Sequence, residues 1–334
     1  MAETTALTDV TALVREELDE VARIVTAALR PDSPELSGLL DHAASFRGKQ
    51  LRPALVLLSA RAVGEVRPCH LQIAAVVEML HAATLVHDDI LDGAGLRRGL
   101  PTIHAVSGSE IAVLLGDYLY ARAFHMAVEL DDPRCSRVLS ETVRVICQGE
   151  MTQMVHRFDV DLDEARYFEI IRDKTAVLYG ASSRLGAAYA GASDDVALRF
   201  QIFGDQLGLA FQIVDDILDV DGDEEVVGKS LGTDFDKGKL TLPFLWMLRE
   251  ASAGQRVRFR EHFTADKASD ARRLDAAAQR RLLEGFDLKG GVRYAHERAD
   301  ACLRAAVESL AGLPSNPALD ALRSMADYVL HRQR

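Results

Sequence analysis

The sequence predicts an all-α protein. Apolar residues recur at three- and four-residue spacing along nearly the whole chain, which is the period of a helix face. Alanine and leucine, good helix formers, are frequent, and alternating strand-like runs are scarce. The prolines sit mostly at breaks in this pattern, at Pro31, Pro34, Pro68, Pro101, Pro133, Pro314 and Pro317. Pro53 and Pro243 instead open helical runs, as the first helical turn allows.

In chain order the periodicity predicts helices over 3–30, 35–46, 52–64, 69–92, 109–130, 134–156, 163–190, 194–220, 241–252, 270–284, 289–312 and 316–332. Asp163, Ser193 and Ser315 are candidate N-caps. No low-complexity linker divides the 334 residues, so a single domain over 1–334 is expected.

The bulk properties exclude several classes. At 48% hydrophobic residues the chain has material for a large core. A net charge of −12 argues against a nucleic-acid partner, which calls for a basic face. Cys69, Cys135, Cys147 and Cys302 are scattered, with no CxxC pair, so neither a zinc site nor a disulfide framework is indicated. The opening MAETTALTDV lacks the basic and apolar regions of a signal peptide. No run of about 18 uncharged apolar residues is found, so no transmembrane segment and a cytoplasmic location are expected.

Two acidic segments stand out, HDDILD (87–92) and VDDILD (214–219). Asp88 and Asp92 are four residues apart and share a helix face, as do Asp215 and Asp219. Carboxylates near a helix C-terminus repel one another and the negative end of the helix dipole. A cation should compensate. Hard oxygen donors with no cysteine among them favour Mg²⁺, which completes its shell with water and substrate phosphate. One such segment alone commonly means a solvated helix end. Two near-copies flanked by apolar residues point to a site.

The basic residues sharpen that reading. Lys49 and Arg52 lie at a loop-to-helix junction in FRGKQLRP, and Lys174 stands beside Thr175 in DKTA. Lys229 and Lys239 fall in a glycine-rich segment that is no Walker A loop. Cations, helix N-termini and Mg²⁺ together are how diphosphates are held.

These motifs resemble the trans-isoprenyl diphosphate synthases, the polyprenyl synthetase family. The shared elements are GKxLRP (48–53), DDxxD followed by RRG (88–99), GD (116–117), GExxQ (149–153), KTA (174–176), FQxxDDxxD (211–219) and GK…GTD…GKxTxP (228–243). The resemblance implies an all-α bundle around a deep central cavity, a homodimer, and condensation of isopentenyl diphosphate with an allylic diphosphate. It implies three Mg²⁺ ions per active site, with Asp88, Asp92 and Asp215 as principal ligands and Asp89, Asp216 and Asp219 in support. It assigns Arg97, Lys174, Gln212, Lys229 and Lys239 to the allylic diphosphate, with Thr175 among the substrate-binding residues. Lys49, Arg52, His81 and Arg98 would hold isopentenyl diphosphate. Gln50 departs from the pattern, since many relatives carry arginine there.

Product length is expected to follow from the helix carrying the first aspartate segment. Ala83 and Thr84, one turn before Asp88, are small where shorter-product relatives often carry an aromatic floor. The cavity should then continue deeper, for a product longer than about twenty carbons at about 5.4 Å of helix per turn. The alternatives are a shorter-chain farnesyl or geranylgeranyl diphosphate synthase, a class I terpene cyclase, and a non-catalytic subunit of a heteromeric synthase. The intact second DDxxD disfavours the cyclase, and two intact motifs disfavour the silent subunit.

Overall fold

The computed structural model describes residues 7–30, 33–45, 48–97, 99–221, 232–265 and 282–332. Its principal helices are α1 (Arg15–Ala28), α2 (Ser37–Ser45), α3 (Leu51–Val63), α4 (Pro68–Leu91), α5 (Ser109–Val128), α6 (Arg134–Val155), α7 (Glu164–Ile171), α8 (Val177–Tyr189), α9 (Asp194–Asp221), α10 (Leu242–Glu250), α11 (Ala253–Ala265), α12 (Leu288–Ser309) and α13 (Pro317–His331). The only strands among the described residues are β1 (Leu96–Arg97) and β2 (Leu100–Pro101), an antiparallel hairpin. The all-α class is as expected.

The chain forms two compact units. Unit 1 comprises 1–144, 177–206 and 305–328; unit 2 comprises 145–176, 207–304 and 329–334. In unit 1, α4 packs against α1, α3, α5 and α8. Ile73, Ala74, Ala75, Val76 and Val77 are consecutive and all buried, so α4 is covered on every side. Its first turn is set by Pro68 and by His70 Nδ1, which accepts from the Arg67 amide at 2.9 Å. Where α8 meets α3, a Cβ on Gly186 would lie 2.1 Å from the Val56 carbonyl oxygen. Only glycine permits that approach. Unit 2 is centred on aromatic rings, with Phe235 within 5.1–6.0 Å of Phe244, Phe259 and Phe263.

Several boundaries differ from the sequence reading. The predicted 3–30 helix is broken: Thr11 Oγ1 donates to the Leu7 carbonyl, and Ala12–Val14 is a 3₁₀ turn. Such back-bonding competes with helix continuation. The predicted 163–190 helix is interrupted by a π-helical turn at Arg172–Ala176. Helix α11 went unpredicted because its buried stripe is only Phe259 and Phe263 in an otherwise charged segment. The 270–284 prediction falls largely outside the described residues. At α13 the cap is Asn316, not Ser315, since its Oδ1 accepts from the amides of Ala318 and Leu319. Asp163 caps α7 as predicted, accepting from the Arg166 amide at 2.8 Å.

Among the described residues, α4 and α5 are long and apolar enough to cross a membrane by length and composition. Glu78 breaks the apolar run of α4, and Asp117 and Arg122 break that of α5, so neither is an uncharged stretch of about 18 residues. Helix α4 has this composition because it is a core helix of unit 1. Helix α5 instead leaves Ile111, Leu114 and Tyr118 exposed at three- and four-residue spacing.

Candidate active site

In unit 1 the first acidic segment closes α4, with Asp92 as its C-cap. The amide of Asp92 donates to the Asp88 carbonyl at 2.8 Å, so the last turn is intact. Asp88 and Asp92 are half-buried, whereas Asp89 is buried. Here the opposite charges explain themselves. The β1–β2 hairpin folds back on the helix end, and Arg97 donates to one oxygen of Asp89 through Nε at 2.8 Å and Nη2 at 2.7 Å. That pair neutralises the one carboxylate that water does not reach. Asp89 uses two of the five guanidinium donors and leaves three. Asp117 of the GD motif lies 3.6 Å from His87 Nε2.

Lys49 and Arg52 flank Gln50, whose φ of 50° is left-handed and uncommon for a residue with a side chain. Lys49 Nζ lies 5.5 Å from the Tyr328 ring centre, and the Arg52 guanidinium 4.3 Å from that of buried Tyr179. Each of the two cations thus lies over an aromatic face. Arg52 Nε is buried with no hydrogen-bond partner. His81 is half-buried on α4, and its carbonyl accepts from Thr84 Oγ1 at 2.7 Å. Ala83 is fully buried and Thr84 half-buried.

In unit 2 Lys174 and Thr175 occupy the π-helical turn. Such turns re-aim side chains and recur at functional sites. Lys174 pairs with Glu150 and donates to Gln153 Oε1 at 2.9 Å, so both polar residues of GExxQ converge on it. A Cβ on Gly149 would lie 2.6 Å from the Lys174 amide nitrogen, so the motif's glycine lets α6 reach the turn. Thr175 Oγ1 donates to Gln212 Oε1 at 3.0 Å, and Gln212 Nε2 donates to Asp216 Oδ1 at 2.8 Å. The Tyr167 hydroxyl donates to Asp216 Oδ2 at 2.6 Å.

The three aspartates of the second segment have different surroundings. Asp215 is 42% exposed. Asp216 is buried, and desolvation, with Asp234 adding to it, pushes its carboxyl up to about 8. Asp219 is also buried and accepts from Thr233 Oγ1 at 2.8 Å and the Asp234 amide at 3.1 Å. It thereby fastens the short helix Thr233–Asp236 to α9. Lys239 lies 3.7 Å from Asp234. Arg98 and Lys229 lie outside the described residues.

Each acidic segment taken by itself offers hard oxygen donors suited to a divalent ion, half-buried carboxylates at Asp88 and Asp92 in unit 1 and at Asp215 in unit 2. Among the described residues no three His, Cys, Asp or Glu side chains are grouped tightly enough to hold a metal by themselves. Mg²⁺ takes few protein ligands and shares its shell with substrate phosphate, so this arrangement fits it better than it fits a closed cage.

The raised Asp216 carboxyl gives a testable pH dependence. Its folded pKa lies above the unfolded value of 3.8, so its contribution to stability is present at low pH and lost as pH rises toward about 8. The metal-free protein should therefore lose stability relative to Asp216→Asn between pH 5 and 8, by at most about 1.4 kcal/mol per pH unit. Paired thermal melts across that range in EDTA measure it. Parallel pH curves for the two proteins would refute it.

The polyprenyl synthetase family model matches residues 33–281. The chain belongs to the polyprenyl synthetase family. Octaprenyl diphosphate synthase of Escherichia coli (strain K12) is 34% identical to it over 322 residues, covering 96% of this chain and 98% of that one. Heptaprenyl diphosphate synthase component 2 of Geobacillus stearothermophilus is 36% identical, covering 97% and 96%. A polyprenyl synthase from Caulobacter crescentus CB15, crystallised with calcium and isoprenyl diphosphate, superposes with a TM-score of 0.91 at 34% identity over 100% of both chains. This polyprenyl synthetase is a prenyltransferase. Two residues beside its motifs were not singled out from sequence. Neither Tyr167 nor Arg332 was given a role from sequence, and only folding places them against Asp216 and Asp215.

Proposed function

We propose that this polyprenyl synthetase makes an all-trans polyprenyl diphosphate longer than about twenty carbons, adding isopentenyl units head to tail to an allylic diphosphate. The observation that carries the reading is the split within each acidic segment. Asp89 is buried and held by Arg97, and Asp216 and Asp219 are buried and held by Tyr167, Gln212, Thr233 and the Asp234 amide, while Asp88, Asp92 and Asp215 keep access to water.

Asp88, Asp92 and Asp215 would then hold Mg²⁺, three ions per active site, with Asp89, Asp216 and Asp219 in support. Bound Mg²⁺ supplies Lewis acidity toward the leaving diphosphate. Lys174, Arg97, Gln212, Lys229 and Lys239, with Thr175 beside them, place fixed donors where negative charge grows as the allylic C–O bond ionises. Lys49, Arg52, His81 and Arg98 orient isopentenyl diphosphate so that its double bond attacks the allylic cation. The departing diphosphate accepts the proton that is lost. In this reading residues 1–334 are a single polyprenyl synthetase domain, and the enzyme acts in the cytoplasm.

The exposed apolar stripe Ile111, Leu114 and Tyr118 supports a homodimer through α5. Sedimentation equilibrium should return twice the monomer mass, and Leu114→Glu should return the monomer.

One incubation tests the reaction. The protein is supplied with Mg²⁺, isopentenyl diphosphate and, separately, geranyl, farnesyl and geranylgeranyl diphosphate, and product masses are read. Linear products extended beyond each primer support elongation. Products that stop at or below about twenty carbons favour a short-chain synthase, and a cyclic hydrocarbon favours a cyclase. Ala83→Phe should shorten the product distribution by one or more isoprene units, because a phenyl ring replaces a buried methyl on α4. An unchanged distribution removes Ala83 from the length determinants.

A further inference from the structure

Arg332 follows the last turn of α13, and its side chain is only 3% exposed. A buried guanidinium needs compensation, because desolvating a charge is costly. The compensation here comes from α9. The guanidinium stacks on Phe211 at 3.7 Å from the ring centre, and Nη2 donates to the Phe211 carbonyl at 2.8 Å. The same Nη2 lies 3.4 Å from Asp215 Oδ1, while Nε has no hydrogen-bond partner. Phe211 and Asp215 are four residues apart, so one planar group spans a full turn of the helix.

We infer that Arg332 is a positioning residue for Asp215, holding one carboxylate oxygen so that the other is presented to the metal. This rests on the proposed Mg²⁺ role of Asp215. The physical reason is that a ligand carboxylate left to rotate must be ordered when metal binds, whereas one already held by an outer donor is not. The plane of the guanidinium matters, since stacking on Phe211 fixes the direction in which Nη2 points. A lysine would keep the charge and lose the stacking.

The test uses full-length wild type, Arg332→Met and Arg332→Lys. Mn²⁺ binding in the presence of inorganic pyrophosphate is followed by electron paramagnetic resonance, and elongation is measured as a function of Mg²⁺. Arg332→Met should weaken Mn²⁺ binding about tenfold and raise the half-saturating Mg²⁺ by a similar factor. Arg332→Lys should fall between it and wild type. If Arg332→Met does not fold, Arg332→Lys alone decides, by a weakening of about threefold or more. A wild type that elongates, with folded variants matching its Mn²⁺ affinity, overturns the inference and leaves the proposed function intact. A wild type that neither elongates nor binds Mn²⁺ with pyrophosphate overturns the function itself.

Discussion

Asp88→Asn should lower kcat for elongation by about 10³-fold, which corresponds to about 4 kcal/mol of lost transition-state stabilisation. The substitution keeps the side chain's size and removes the charge that would hold Mg²⁺ on the leaving diphosphate. It should not unfold the protein, and the expected sign on stability is the reverse. Asp88 lies in the last turn of α4, which carries no basic residue. A negative charge there opposes the helix dipole, so its removal should stabilise by about 0.3–1 kcal/mol. Kinetics with labelled isopentenyl diphosphate and a thermal melt separate the two effects. A variant that retains wild-type kcat would end the metal reading of the first segment. A large fall in Tm would mean that Asp88 is structural.

The largest expected effect on stability is at Gly186. Its alanine variant should cost about 3 kcal/mol, lowering Tm by about 6–12 °C. The new methyl would meet the Val56 carbonyl at 2.1 Å, and that atom belongs to the backbone of α3 rather than to a side chain that can swing away. Relief requires α3 and α8 to separate. Helix α3 carries Arg52 and α8 carries Tyr179, so the KM for isopentenyl diphosphate should rise as well. Gly38→Ala is the control: its Cβ would meet nothing within 4 Å, and it should be neutral or stabilising by roughly 0.5–1 kcal/mol. Equal melting of the two variants would contradict the close-approach argument.

The long helices were legible because burial and helical period coincide in them. Helix α4 was predicted as 69–92 and found as Pro68–Leu91, and α9 was predicted as 194–220 and found as Asp194–Asp221. Breaks inside helices were not legible. The π turn at Arg172–Ala176 keeps helix-compatible residues throughout, and the partners that Lys174 meets from it, Glu150 and Gln153, are more than twenty residues away. Helix α11 was missed because its stripe acquires meaning only when Phe235 stands opposite it.

The candidate site divides in the same way. Which residue types it contains, and the motif order that identifies the family, are properties of the chain read in one dimension. Local spacing alone decides that Asp88 and Asp92, or Asp215 and Asp219, share a helix face. Which carboxylate of each segment is withdrawn from water is not local. Asp89 is met by Arg97 from the returning hairpin, Asp216 by Tyr167 and Asp219 by Thr233. Arg332 reaches Asp215 from more than a hundred residues away. Charge and helical period are carried by neighbours in sequence, whereas desolvation and hydrogen-bond partnership depend on whatever the fold places within a few ångströms. Only the tertiary structure could therefore separate the aspartates that keep access to water from those buried against protein donors.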